Sequence, residues 1–118
     1  MKIAISSMGK TKEDLLDIRF GRCEYFQIYN TENKEIIILE NKGLNASGGA
    51  GIAAANQLIE EKVNVVVTGK LGPNAFDIID KEGIKAYSCD SLKIIKVMEY
   101  YNKGELKEIK MAGPSHQG

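Results

Sequence analysis

Short apolar runs alternate along the chain with longer stretches of helical period. Lys2-Ile-Ala-Ile-Ser-Ser-Met8 alternates weakly and is rich in isoleucine, which reads as a buried first strand. Phe26-Gln-Ile-Tyr-Asn30 and Glu35-Ile-Ile-Ile-Leu-Glu40 are β-branched and aromatic, and the polar turn Thr31–Lys34 joins them, so they predict an antiparallel hairpin. From Asn45 the chain becomes small and glycine-rich, then helical, with Ile52, Ala55, Ile59 and Val63 on one stripe and Leu58 widening it. Asn64-Val-Val-Val-Thr68 suits a strand buried on both faces. Pro73 fits the first position of a second helix, with Ala75, Phe76 and Ile79 on its face and Gly83 at its C-cap. Ile84–Ser88 predicts a fifth strand, and Ser91 is a candidate N-cap for a third helix lined by Leu92, Ile95 and Met98, ending near Asn102–Gly104. The stretch from Glu105 to Gly118 carries few large apolar residues and reads as a flexible tail on a domain spanning residues 1–104.

The order β, β, β, α, β, α, β, α implies a mixed five-stranded α/β sheet with helices on its faces. The hairpin falls on one side of strand one and the last two strands on the other. In such sheets ligands sit beyond the carboxyl ends of the parallel strands, where strand order reverses. Here that is the gap between strands one and four. Its expected rim is Ser6, Ser7, Met8 and Gly9, then Thr68, Gly69, Lys70, Gly72, Pro73 and Asn74, with Cys89 and Asp90 on the same edge.

Composition narrows the classes. The 118 residues suffice for one domain with a real core, and 16 basic against 16 acidic residues give zero formal charge. With no run of Lys or Arg, this argues against nucleic acid or an anionic membrane as partner. No apolar run is long enough to cross a bilayer, and the N-terminus lacks the apolar core of a signal peptide, so a cytoplasmic protein is expected. Two cysteines, Cys23 and Cys89, and a single histidine, His116, cannot build a four-ligand zinc site from one chain. In the cytosol both thiols should be reduced.

Three glycine-bearing segments invite chemistry. Gly9-Lys10-Thr11 resembles the end of a P-loop, but position 4 is alanine where the motif needs glycine, and no long apolar helix face follows. Gly49-x-Gly51-x-x-Ala54 matches a dinucleotide fingerprint, yet it follows a long loop from an antiparallel strand, and no acidic residue closes the next strand. Ser47, Gly48, Gly49 and Gly51 at a helix start are either an anion cradle or a tight helix entry, because first-turn amides lack internal partners and carry the positive end of the helix dipole. Gly69, Gly72 and Asn74 pose the same choice at the next helix.

Arg19-Phe-Gly-Arg-Cys23 packs two arginines, Gly21 and a thiol into five residues. It reads either as an anion or metal-cluster contact, with Cys23 made thiolate-like by positive neighbours, or as a solvated turn whose cysteine packs as a small hydrophobe. Asp77 and Asp80 lie on a solvated helix face, Cys89 reads as a core or rim thiol, and His116 reads as solvent-exposed. No nucleophile–base pair is visible, so no enzyme is expected.

Arg19-Phe-Gly-Arg-Cys-Glu-Tyr-Phe26, Gly49-Ala-Gly51, Val65-Val-Val-Thr-Gly-Lys-Leu-Gly-Pro-Asn-Ala-Phe76, Gly83–Tyr87 and Tyr101–Leu106 together resemble the dinitrogenase iron–molybdenum cofactor biosynthesis family, over nearly the whole chain. The resemblance implies a ribonuclease H-like fold, without nuclease chemistry because Ile3–Ser7 has no carboxylate. It also implies a non-enzymatic carrier, transiently holding an iron–sulfur or iron–molybdenum-type cluster or its precursor. The cofactor-binding set would be Arg19, Gly21, Arg22, Ser47, Gly48, Gly49, Gly51, Thr68, Gly69, Gly72 and Asn74, with Cys23 as metal ligand. Partners would be the cluster or a cluster-assembly protein, and the chain a monomer or weak homodimer. The nitrogenase members typically have histidine before the Phe-Gly pair, where this chain has Arg19. The alternative is a metal-free regulatory or protein-interaction module on the same fold.

Overall fold

The computed structural model describes residues 1–113. Strands β1 (Lys2–Ser7), β2 (Tyr25–Asn30), β3 (Ile36–Glu40), β4 (Val65–Thr68), β5 (Lys85–Ser88) and β6 (Lys107–Glu108) form one sheet in the order β3-β2-β1-β4-β5-β6. β2 is antiparallel to β1 and β3, while β1, β4 and β5 run parallel. Helices α1 (Ala50–Glu60), α2 (Pro73–Lys81) and α3 (Ile94–Asn102) make the crossovers and the final return. The hairpin and the parallel strands therefore flank β1 as their patterns predict. No helix among the described residues is long and apolar enough to cross a membrane.

β1 and β4 are buried on both faces, which is why their sequences lack a polar alternate. On one face Ala4, Phe20, Phe26, Ile28 and Val66 pack under α1 and α2 with Ala54, Ala55, Leu58, Leu71, Ala75 and Ile79. The alanines let the two helices lie close to the sheet. On the other face Ile3, Ile5, Leu16, Val65 and Val67 pack under α3 with Ile94 and Val97.

Two boundaries differ from the pattern. The expected five-strand sheet has six strands, because Lys107 and Glu108 pair antiparallel with Ser88 and Tyr87. The segment expected to be a loose tail from Glu105 thus begins as an edge strand, anchored by the Ile109 N–H on the Ala86 carbonyl at 2.8 Å. A two-residue charged edge carries almost no periodicity, and such short edges are how sheets avoid further pairing. Ser91 does not cap α3. Its hydroxyl donates to the Leu16 carbonyl at 2.6 Å, and the helix starts at Ile94 after Lys93. Pro114 to Gly118, including His116, lie outside the described residues.

Glycine tolerance should follow this geometry. A Cβ at Gly69 would collide with the Cβ, Cα and carbonyl of Ile18, whereas one at Gly48 meets nothing within 4 Å. Gly69→Ala is therefore expected to lower stability by about 1–3 kcal/mol through overpacking. Gly48→Ala should stay within about 0.5 kcal/mol of the native chain. Urea unfolding of the two variants compares them directly.

Candidate functional site

The carboxyl ends of β1, β3, β4 and β5 share one edge of the sheet, and the N-termini of all three helices open there, because each helix follows one of these strands. The loop from Met8 to Glu24 also returns across this edge. Its course decides where a ligand can go.

The expected gap between β1 and β4 is closed. The Ser6 hydroxyl donates to the Asp17 carbonyl at 2.6 Å and lies 2.7 Å from the Thr68 hydroxyl. The Asp17 N–H donates to the Ser6 carbonyl at 2.9 Å, and the Lys70 N–H reaches the Ile18 carbonyl at 3.4 Å. Arg19 and Lys70 form an isolated parallel bridge. Thr68 and Gly69 are buried beneath this seal. Of the expected rim residues, Thr68 hydrogen-bonds Ser6, and Gly69 lacks a side chain so that Ile18 can pack on it.

The same loop closes one helix entrance and leaves two. At α3, the Ile94 N–H donates to the Asp14 carbonyl at 2.9 Å and the Ile95 N–H to the Lys12 carbonyl at 3.0 Å. Gln27, buried in β2, holds the loop in place by donating to the Gly9 and Thr11 carbonyls at 3.1 and 2.8 Å. At α1 no side chain caps the helix, and the first ladder bond is from the Ala53 N–H to Gly49, so the amides of Ala50, Gly51 and Ile52 have no partner among the described residues. At α2 the first ladder bond is from the Phe76 N–H to Gly72, leaving those of Asn74 and Ala75. Ala75 is only 1% exposed, so its unpaired donor is not freely hydrated and favours an acceptor.

The expected residues divide accordingly. Ser47, Gly48 and Gly49 are exposed ahead of α1 and Gly51 is half-buried in its first turn. Gly49 has φ 68°, a left-handed conformation that explains this glycine by backbone alone. Gly48 has no such reason, and its missing side chain leaves the approach to the helix open. At α2, Asn74 is exposed and Gly72 is buried as the N-cap. Gly21 is buried, its carbonyl accepting from the Asn41 amide at 3.0 Å. A Cβ at Gly43 would run into the Ala50 carbonyl and stand 3.2 Å from the Gly21 carbonyl oxygen, so the arginine loop and the first turn of α1 meet at this glycine.

The two arginines play different parts. Arg19 forms a fork on Asp17, Nε to Oδ1 at 3.1 Å and Nη2 to Oδ2 at 2.9 Å, and its backbone N–H also binds Oδ1. The Asp17 side chain is 3% exposed and that of Arg19 is 62% exposed. The hydrogen bonds that Arg19 donates to Asp17, reinforced by the carboxylate's charge, raise the guanidinium pKa above its ordinary value, and the ion pair offsets its charge. Arg19 thus serves the buried carboxylate first, and its charge toward an anion is largely cancelled. Arg22 Nη1 donates to the Leu44 and Ala46 carbonyls at 3.1 and 2.9 Å, stitching down the loop that enters α1. Neither Arg22 nor Lys70 has a carboxylate within ion-pair range among the described residues. These two cations remain uncompensated on this edge.

Cys23 is placed in the core, against the expectation of a metal ligand. It is fully buried among Phe20, Phe26 and Ile28, and its thiol donates to the Phe20 carbonyl at 3.4 Å. Burial pushes the thiol up to about 12, with the nearby Asp17 charge adding to the shift. The arginines point outward, so they do not make it a thiolate. Cys89 is half-buried against the α3 face, and burial and Asp90 raise it as well. Among the described residues no group of three or more His, Cys, Asp or Glu side chains converges to hold a metal ion.

Asp17, Asn41 and Gln27 organise this edge, yet sequence reasoning gave them no role, whereas Lys70 was expected on the rim and is exposed there. The Asp17-x-Arg19 spacing was a usable signal for a local fork. Asn41, which also accepts from the Gly43 N–H at 2.8 Å in a side-chain turn, was signalled by Asn-Lys-Gly. Gln27 had no local signal, because a loop distant in sequence gives it its role.

The fold is shared with known proteins. The dinitrogenase iron–molybdenum cofactor family matches residues 1–104, and the chain belongs to it. An uncharacterized protein of Methanocaldococcus jannaschii is 31% identical over 111 residues, covering 92% of this chain and 91% of that one. Among solved structures, the apo form of the orange protein from Desulfovibrio gigas superposes with TM-score 0.89 at 27% identity, covering 95% of each chain. A Thermotoga protein, determined as a candidate NifB protein, gives TM-score 0.83 at 28% identity, covering 95% of this chain and 96% of that one.

Thiol chemistry checks the core assignment. Both thiols are raised, so both are protonated at pH 8, and exposure decides which reacts. Cys89 is expected to be alkylated by iodoacetamide well before Cys23, which should react only on unfolding; peptide mass mapping over time separates them. The neutral Cys23 thiol also contributes stability that is present below the unfolded-state value near 9 and is lost as pH rises toward about 12. Cys23→Ala should flatten that alkaline loss in denaturation curves taken from pH 8 upward.

Proposed function

We propose that this protein is a non-enzymatic, cytoplasmic carrier of an anionic metal cluster of the iron–sulfur or iron–molybdenum type, which it receives and passes on as cargo. The observation that carries the reading is the asymmetry of the helix entrances. The loop satisfies the first amides of α3, while those of α1 and α2 have no partner among the described residues on the edge that holds Arg22 and Lys70. Each helix terminus contributes about 0.3–1 kcal/mol toward an anion, more when partly buried. Arg22 adds charge-assisted hydrogen bonds from the donors that its loop contacts leave over. The family membership and the likeness to the orange protein support the same reading. We also read the order β3-β2-β1-β4-β5, with β2 reversed, as ribonuclease H-like, and the domain as a monomer or weak homodimer.

The chemistry of the donor set suits an anion held by hydrogen bonds and charge, with Arg22, Lys70 and the amides around Gly48, Gly49, Gly51, Gly72 and Asn74 doing the holding. Cys23 is not available as a ligand. Such a grip is weak and reversible, which fits a protein that hands its cargo on. A second reading, a metal-free interaction module, draws on exposed apolar side chains of the same edge: Met8 at 47%, Leu15 at 40% and Ile18 at 51% exposure.

Metal analysis of protein purified without oxygen, followed by titration with a synthetic iron–sulfur cluster, separates the two. A carrier shows bound iron or molybdenum, or saturable spectral change, and Arg22→Ala weakens binding by about tenfold. Metal-free protein with unchanged spectra on titration refutes the carrier and leaves the interaction module.

A further inference from the structure

The two outer strands of the sheet differ in what they offer to another chain. β6 is two residues long and both are charged, which protects its edge. β3 is five residues long, with Ile36, Ile37, Ile38 and Leu39 in succession and a carboxylate only at Glu40. It has neither proline nor a bulge, and its register against β2 runs unbroken from Ile36 opposite Tyr29 to Glu40 opposite Tyr25. Ile37 is 41% exposed. A straight apolar edge of this kind is a template for one more strand.

The ladder with β2 fixes which backbone groups of β3 are free. The Asn30 N–H donates to the Glu35 carbonyl at 2.9 Å and the Asn41 N–H to the Glu24 carbonyl at 3.0 Å. Backbone groups alternate in direction along a strand, so Ile37 and Leu39 turn theirs toward β2, while Ile36, Ile38 and Glu40 turn theirs outward. The Gln57 side-chain amide occupies the Glu40 carbonyl at 2.8 Å. The N–H and C=O of Ile36 and Ile38 have no partner among the described residues, because β3 ends the sheet. Lys34 and Glu40, at the two ends of this edge, are exposed and form no ion pair among the described residues.

We propose that β3 pairs antiparallel with β3 of a second copy, across a two-fold axis at Ile37, to join two sheets into one. The proposal deepens the weak-homodimer reading and stands apart from the carrier reading. Outward groups at Ile36, Ile38 and Glu40 permit two two-fold registers. Centring on Ile38 sets Ile36 against Glu40, whose carbonyl is taken, and Lys34 against Lys42, of like charge. Centring on Ile37 lets Ile36 of each copy exchange both backbone hydrogen bonds with Ile38 of the other. It also brings the two exposed Ile37 side chains together and sets Glu40 of each copy against Lys34 of the other. A head-to-tail contact of β3 with β6 would match five residues to two and generate an open filament. One strand edge covers far less than the roughly 1,200–2,000 Å² of a stable interface, so the dimer is weak and reversible. Antiparallel pairing sends the carboxyl ends of the two β3 strands to opposite ends of the dimer, so both α1 entrances stay open.

The test is sedimentation equilibrium of the full metal-free chain from about 20 μM to about 1 mM, with amide NMR over the same range. The average mass should rise from 13.0 kDa toward twice that value, and the Ile36 and Ile38 amide signals should move with concentration. Glu40→Lys and Lys34→Glu should each weaken dimerisation about tenfold, because the two-fold axis doubles every pair, and the double variant should restore it. Ile37→Lys, which sets like charges together at the axis, should leave a monomer whose amide spectrum away from β3 is native. A mass of one chain up to the highest concentration, with unmoved amides, overturns the dimer and leaves the carrier reading untouched. A dimer that Ile37→Lys does not weaken overturns the β3 interface. Charge variants without effect, or a double variant that stays weak, overturn the register at Ile37.

Discussion

The segment from Asp17 to Phe20, laid over the ends of β1 and β4, is the constraint on which the rest of the site depends. Gly69 makes it possible, because any side chain there would occupy the space of Ile18. Ser6, Thr68 and Asp17 make it specific through short buried hydrogen bonds. Asp17 then needs a partner for its own buried carboxylate, and Arg19 supplies the fork. Removing one member of such a pair leaves a buried charge uncompensated, which is why it costs more than an exposed ion pair. Here the exposure of Arg19 lets solvent take up part of that cost.

Closing the usual crevice moves the chemistry sideways. The loop that seals it satisfies the amides of α3, so the only helix entrances without protein partners among the described residues are those of α1 and α2. Arg22 fixes the loop leading to α1, Asn41 and Gly43 bring Gly21 against its first turn, and the C-terminal segment returns beside α2. What remains among the described residues is a positively biased edge, without an exposed thiolate and without a metal-holding cluster of carboxylates. On the carrier reading proposed above, such an edge would favour outer contacts with an anion over a permanent metal bond.

The pattern of apolar residues was enough to set the α/β class, the hairpin, the parallel strands and the order around β1. These follow from side-chain period and from the need of parallel strands for crossovers, which are properties of local sequence. The glycine-bearing helix starts were legible for the same reason: first-turn amides are orphaned in any helix, and Gly48, Gly49 and Gly72 sit where two such turns begin. The two-residue β6 was not legible, because Lys107 and Glu108 gain strand geometry only from pairing with β5.

Which of those helix starts stay open, and which side chains face them, was decided only in three dimensions. Arg19 and Arg22 look alike in sequence, yet one is spent on Asp17 and the other is not, because a buried carboxylate lies beside the first alone. Cys23 has two cationic neighbours in the chain, yet it turns inward onto Phe20 and Phe26, and burial raises its thiol where nearby charge would have lowered it. Thr68 and Gly69 carry the family motif, but the loop above uses them for packing. Sequence alone determined where the backbone donors are, since their number and position follow from helix geometry. Tertiary structure determined which donors and charges remain available, since that depends on how residues far apart in the chain desolvate and satisfy one another.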